Sequence, residues 1–173
     1  MRFLTDDEVT RQLEQWGVKF NEKGEEELGE YGARLRFRVP PEAGRRTALS
    51  RVMSLWFKQD GDVLLVIDEW GLYPACEDLN LFTRFRQSYG EGRNLREAPG
   101  HLIKADEREA LRSLVALMLY FVWGGSLLSR TMGLLVQISH DDTIGVFAKD
   151  AARLEEIRSD LQSFKVVEVE AAK

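Results

Sequence analysis

The sequence predicts a single α+β (or mixed α/β) domain with a central mixed sheet and about five helices. Three observations carry this. Residues 31–39 alternate with period two, the mark of a half-buried strand. Residues 5–17 and 47–56 space their apolar side chains for helices. Ser126–Ser129 and Leu134–Ser139 are strand-like runs separated by a hairpin-sized gap.

The elements follow in order. Thr5 and Glu8 make a capping box, Leu4 and Val9 a hydrophobic staple, and Gly17 a stop, so a helix is expected between them with Val9, Leu13 and Trp16 on one face. Residues 21–30 are polar and punctuated by glycine, which predicts a loop. In 31–39, Tyr31, Ala33, Leu35, Phe37 and Val39 point one way and Arg34, Arg36 and Arg38 the other, until Pro40-Pro41 ends the strand. Thr47–Trp56 is a helix with Ala48, Leu49, Val52, Met53 and Trp56 on one face, and Val63–Ile67 is a buried central strand.

Glu77–Tyr89 is expected to be helical, with acids early and arginines late to suit the helix dipole. A glycine-containing loop over 90–100 leads to a short strand, His101–Ile103. The helix over 106–123 becomes nearly all apolar and is expected to be buried at the centre. Thr143–Phe147 fits a strand or a turn. Asp150 caps a last helix carrying Leu154, Ile157, Leu161 and Phe164. Ser113–Leu128 has no charged residue, but Gly124-Gly125 interrupts it and it is shorter than the roughly 20 residues a membrane helix needs.

A net charge of −5 argues against binding nucleic acid or anionic lipid through overall charge. A single cysteine excludes an intrachain disulfide and a cysteine-based zinc site and fits a reducing compartment. The N-terminus turns acidic at once, so no signal peptide is expected.

Candidate chemistry is sparse. Asp68-Glu69 at the end of an apolar strand resembles the magnesium-holding acids of P-loop ATPases, but the chain has no Gly-x-x-x-x-Gly-Lys-Ser/Thr to cradle phosphate. Gly90-Glu-Gly-Arg-Asn follows a helix, not a strand, so it fails the dinucleotide fingerprint. Ser139-His140-Asp141 has triad residue types, yet strand neighbours point to opposite faces. A metal or ligand site from His101, His140, Asp68, Glu69 and Asp141 is conceivable in chemistry but lacks ligand spacing. Cys76, before a helix start, has Glu77 and Asp78 beside it to oppose thiolate formation. No cofactor is implied.

Charge is blocked along the chain. Residues 31–58 carry seven basic side chains and one acidic, residues 59–83 six acids and no base, and residues 84–104 five bases and two acids. Arg34, Arg36 and Arg38 share one strand face at spacings of about 6.6–6.8 Å, so they need acids or phosphates to answer them. Residues 68–101 gather Trp70, Tyr73, Phe82, Phe85 and Tyr89 beside Arg84, Arg86, Arg93 and Arg96. Trp, Tyr and Arg are the residues that dominate interface hot spots.

Trp70-Gly71…Pro74, Leu81-Phe82…Arg84-Phe85-Arg86-Gln87-Ser88-Tyr89-Gly90, Pro99-Gly100-His101-Leu102 and Ser139-His140-Asp141 together resemble a group of small bacterial single-domain proteins of unassigned function, over roughly residues 60–148. The resemblance implies a bacterial, cytoplasmic protein with 68–101 as the hallmark segment. It brings no activity, cofactor or catalytic residue.

The expectation is therefore a non-enzymatic protein-interaction module, immunity- or antitoxin-like or a subunit of an assembly. Its partner is another protein, met through Trp70, Tyr73, Arg84, Arg86 and Arg93 together with the Arg34/Arg36/Arg38 face. One alternative is a small hydrolase or metal- or ligand-binding domain using His101 and His140 with nearby carboxylates. Another is nucleic-acid binding through Arg34, Arg36, Arg38, Arg45, Arg46 and Arg51.

Overall fold

The computed structural model describes residues 1–18, 31–57, 61–69, 76–129, 131, 133–164 and 166–169, with 76–79 as backbone alone. Seven strands form one sheet: β1 (Arg2–Leu4), β2 (Ala33–Arg38), β3 (Val63–Glu69), β4 (Gly100–Ile103), β5 (Gly124–Ser129), β6 (Leu134–Ser139) and β7 (Thr143–Ala148). Five helices accompany them: α1 (Asp6–Gln15), α2 (Ala43–Trp56), α3 (Cys76–Ser88), α4 (Arg108–Phe121) and α5 (Ala151–Ser163). The strand order is β1-β4-β3-β5-β6-β7-β2. The α+β expectation holds, but every neighbouring pair is antiparallel where a mixed sheet was expected. Helices α1, α2 and α4 link strands that run the same way, but those strands are never neighbours: β3, for one, lies between β4 and β5, so every hydrogen-bonded pair is antiparallel.

Local signals place most elements. Both arms of the capping box at α1 form: Glu8 N–H donates to Thr5 Oγ1 at 3.3 Å and Thr5 N–H to Glu8 Oε2 at 2.9 Å. Gly17, at φ 72, closes that helix. Helix α2 begins one turn before the expected Thr47, because the Arg45 and Arg46 amides already bond the Glu42 carbonyl. Helix α3 ends in a Schellman turn: Gly90, at φ 86, bonds the Gln87 carbonyl and Glu91 bonds that of Arg86. The expected loop at 21–30 lies outside the described residues.

Thr143–Ala148 proves to be a strand. Ser139 pairs with Thr143 across a loop of His140, Asp141 and Asp142. Asp142 takes the left-handed conformation, φ 54, that a short hairpin loop requires and an aspartate tolerates. Gly124 and Gly125 open β5, so the uncharged stretch Ser113–Leu128 is a helix running into a strand. A Cβ on Gly125 would lie 2.3 Å from the Val66 carbonyl oxygen, so only glycine lets β5 pack against β3 there.

One face of the sheet carries the main core. Leu35 and Phe37, Leu65 and Ile67, Leu127, Val136 and Ile138, and Ile144 and Val146 pack under Met53 and Trp56 of α2, Phe82 of α3, Leu114 and Met118 of α4, and Ile157 of α5. The expectation that 106–123 is buried all round needs correction. Ala110, Leu111, Leu114, Val115, Met118 and Leu119 are buried, but Leu117 and Phe121 are half-buried and Tyr120 is 45% exposed. Helix α4 sits in a single outer layer, so its far side has no second layer to cover it.

The other face is covered only in part. Val9 and Leu13 of α1, with Leu4 of β1, pack on Leu64, Leu128 and Leu135. Beyond Leu135 of β6 and the partly buried Phe147 of β7, no described helix covers this side of β6, β7 and β2. Along the outer edge of β2 the tail adds one bridge, Phe37 to Glu168. The Arg38 amide donates to the Val167 carbonyl at 3.0 Å and the Val169 amide to that of Arg36 at 2.8 Å.

Candidate functional site

The uncovered half-sheet is a groove of about 710 Å³ lined by Arg34, Arg36, Gln137, Ser139, Thr143 and Phe147, with Glu168 and Val169 at its rim. Its composition follows from strand alternation. Leu35, Phe37, Val136, Ile138, Ile144 and Val146 turn to the core, so the residues alternating with them turn to the groove. Arg34, Arg36 and Arg38 are all exposed. Arg36 Nη2 donates to Thr143 Oγ1 at 3.1 Å. Among the described residues, no side chain pairs with the guanidinium of Arg34 or Arg38. The arginine row was visible in the sequence. The hairpin side chains beside it were not singled out, although Gln137, Ser139 and Thr143 are the polar members of an alternating pair.

The other arginines proposed for nucleic-acid contact behave differently. Arg46 is a structural clamp: Nε donates to the Pro40 carbonyl at 2.9 Å, Nη1 to that of Leu119 at 2.6 Å and Nη2 to Asp142 Oδ1 at 3.1 Å. Arg45 is exposed beside Glu42, and Arg51 lies on the helical side of the molecule, lining a groove with Leu55 and Phe164. Six arginines therefore do not form one strip.

His140 and Glu69 meet at the end of the sheet, with Nδ1 2.7 Å from Oε2. Register slips between Ile67 and Glu69, a bulge that breaks alternation and re-aims Glu69, which lies against Gly124. Nε2 faces Asp141 Oδ1 at 3.4 Å. The hydrogen bond to Glu69, then the charges of Glu69 and Asp141, raise the His140 pKa. Carboxylates at both nitrogens favour the protonated ring, which works against a general-base role. Asp68 is raised as well, by desolvation and then by Glu69, although by surface area it is exposed.

His101 stands elsewhere. It is fully buried in β4, between the rings of Phe3 at 5.3 Å and Phe82 at 5.7 Å. Desolvation, then the Arg86 charge, lowers its pKa to about 3. Neither ring nitrogen makes a sound hydrogen bond; the Pro99 and Leu65 carbonyls lie near but off geometry. Strands β4 and β6 are three spacings apart, about 14 Å across the sheet alone. The alternative site that joins His101 to His140 is thus not assembled. No group of three His, Cys, Asp or Glu among the described residues is arranged to hold a metal.

The aromatic and arginine-rich segment divides. Trp70 and Tyr73 lie outside the described residues. Arg84 is exposed on α3. Arg86, expected at the surface, is 2% exposed: its guanidinium lies over the rings of Phe3 at 5.0 Å and Phe82 at 5.6 Å, and Nη2 donates to the Ala98 carbonyl at 2.8 Å. It shares a helix face with buried Phe82, four residues earlier, which is why it turns inward. Arg93 is half exposed and grips Glu91, with Nη2 at 2.6 Å. That grip, above all, lowers the Glu91 pKa. The helix suspected behind Cys76 begins at Cys76 itself.

Comparison with protein-family models, curated proteins and solved structures finds no match to this chain. No described helix is long and apolar enough to cross a membrane.

Proposed function

We propose that this chain is a non-enzymatic protein-binding module, of the immunity- or antitoxin-like or assembly-subunit kind, working in a bacterial cytoplasm. Its arginine-bearing half-sheet receives an acidic surface of the partner. One observation carries the proposal. Arg34, Arg36 and Arg38 stand exposed on an edge strand that no described helix covers on that side, and no described side chain answers Arg34 or Arg38. Guanidiniums in a row are worth most when carboxylates meet them in a desolvated interface. Arg84, exposed on α3, is set on the helical side and is not needed for this contact.

The test is affinity capture from cells of the source bacterium, using the wild-type chain, an R34E/R36E/R38E variant and an R84E variant. The expected result is one stoichiometric acidic protein with wild type and R84E, and its loss with the triple variant. Recovery of nucleic acid instead, with affinity collapsing steeply with salt, would transfer the same surface to the nucleic-acid alternative. Equal capture by all three chains would remove the arginine face from the account.

A further inference from the structure

A second basic site lies on the opposite side of the molecule. A small pocket of about 220 Å³ opens between α3 and the loop after it, lined by Phe82, Thr83, Arg86, Arg93, Asn94 and Arg96. The Schellman turn at Gly90 folds this loop back on the helix, and Glu91 is the carboxylate brought in with it. Arg93 uses that carboxylate fully, through its amide at 2.7 Å, Nε at 3.0 and 3.1 Å, and Nη2 at 2.6 Å. Arg86 stays 4.0 Å from it, outside hydrogen-bonding range.

The decisive observation is Arg86 itself. It lines the pocket, is 2% exposed, and leaves Nε and Nη1 without a hydrogen-bond acceptor, although the guanidinium lies over the Phe3 and Phe82 rings. Buried guanidiniums are expected to have their donors satisfied, and here only Nη2, on the Ala98 carbonyl, is. Arg86, Arg93 and Arg96 bring three guanidiniums to a volume that admits a few heavy atoms, and the carboxylates of Glu91, Glu8 and Glu97 act on Arg93. Asn94 and Thr83 add polar groups that can meet oxygen.

We propose that this pocket binds a small oxyanion of the phosphate or sulfate class, answered by Arg86, Arg93 and Arg96. The site is separate from the half-sheet groove, and its failure would leave the protein-binding proposal untouched. Inorganic phosphate and O-phosphoserine share the recognising chemistry, so both are used as probes.

The experiment follows thermal unfolding and amide chemical shifts of the full chain while sodium phosphate, O-phosphoserine or sodium chloride is added at matched ionic strength. Wild type should show a saturable rise in Tm with phosphate and not with chloride, and shifts confined to residues 83, 86 and 93–96. Tighter binding of O-phosphoserine would assign the site to phosphate esters, and tighter binding of phosphate to the free ion. Arg96→Gln, at an exposed position, should weaken binding at least tenfold, while Arg84→Gln, outside the pocket, should leave it unchanged. Arg86→Met should abolish the response; should that chain not fold, Arg96→Gln still decides. An equal response to chloride, or an undiminished response in Arg96→Gln, would overturn the proposal.

Discussion

Glu69 and His140 lie 71 residues apart in sequence and 2.7 Å apart in space, joined by the bulge at the end of β3 and the hairpin loop after β6. This pair raises the His140 pKa by stabilising the protonated ring. The histidine should titrate above its ordinary 6.5, and Glu69→Gln should bring it down, as read by histidine ring chemical shifts against pH. Its folded pKa is raised, so its contribution to stability is present below pH 6.5 and is lost as pH rises through the folded value. A His140 titrating at or below 6.5 in wild type would contradict the geometry.

His101 has the opposite sign. Its folded pKa, about 3, lies below its unfolded value near 6.5. The unfolded chain therefore binds a proton that the folded chain refuses, and stability falls as pH drops through 6.5 towards 3. The slope approaches about 1.4 kcal/mol per pH unit. Urea unfolding at pH 7, 6 and 5 should show this loss in wild type and a flatter profile in His101→Leu. Parallel profiles would mean that His101 is not the buried neutral group described.

Arg46 ties α2, α4 and the β6–β7 loop together through Pro40, Leu119 and Asp142. Arg46→Met keeps the stem and removes the charge-assisted hydrogen bonds, leaving the Leu119 carbonyl without its donor. We expect a loss of about 2–4 kcal/mol in chemical unfolding. Arg45→Met, at an exposed neighbour, should change stability by less than about 0.5 kcal/mol.

Gly125→Ala should cost about 1–3 kcal/mol or more, because the added methyl meets the Val66 carbonyl at 2.3 Å and the Met118 side chain at 2.8 Å. Gly44→Ala, which meets nothing within 4 Å, is the matched control and should be neutral or mildly stabilising within α2. Similar losses in both would show that β5 does not pack as closely as the register implies.

Local chemistry made much of this fold legible. The capping box at Thr5, the alternation of β2 and the Asp150 cap each depend on residues within a few positions, and each appears where expected. What escaped depends on distant partners. Strand β1 is only three residues long and exists because Gly100–Leu102 pairs with it. Arg86 looked like a surface arginine because arginines usually are; only the helix phase set by Phe82 and the rings of Phe3 and Phe82 place it inside. The exposure of Arg34, Arg36 and Arg38 could be read from alternation, but that no described helix covers them could not. The extent of α1's footprint is a property of the assembled sheet.

The most direct test of the central claim is amide hydrogen exchange with and without the captured partner. Binding through the arginine half-sheet predicts new protection at residues 33–38 and 143–147, with residues 81–89 and 113–121 of α3 and α4 unchanged. Protection on α3 and α4 with no change in β2 and β7 would contradict the account and move the binding surface to the helical side.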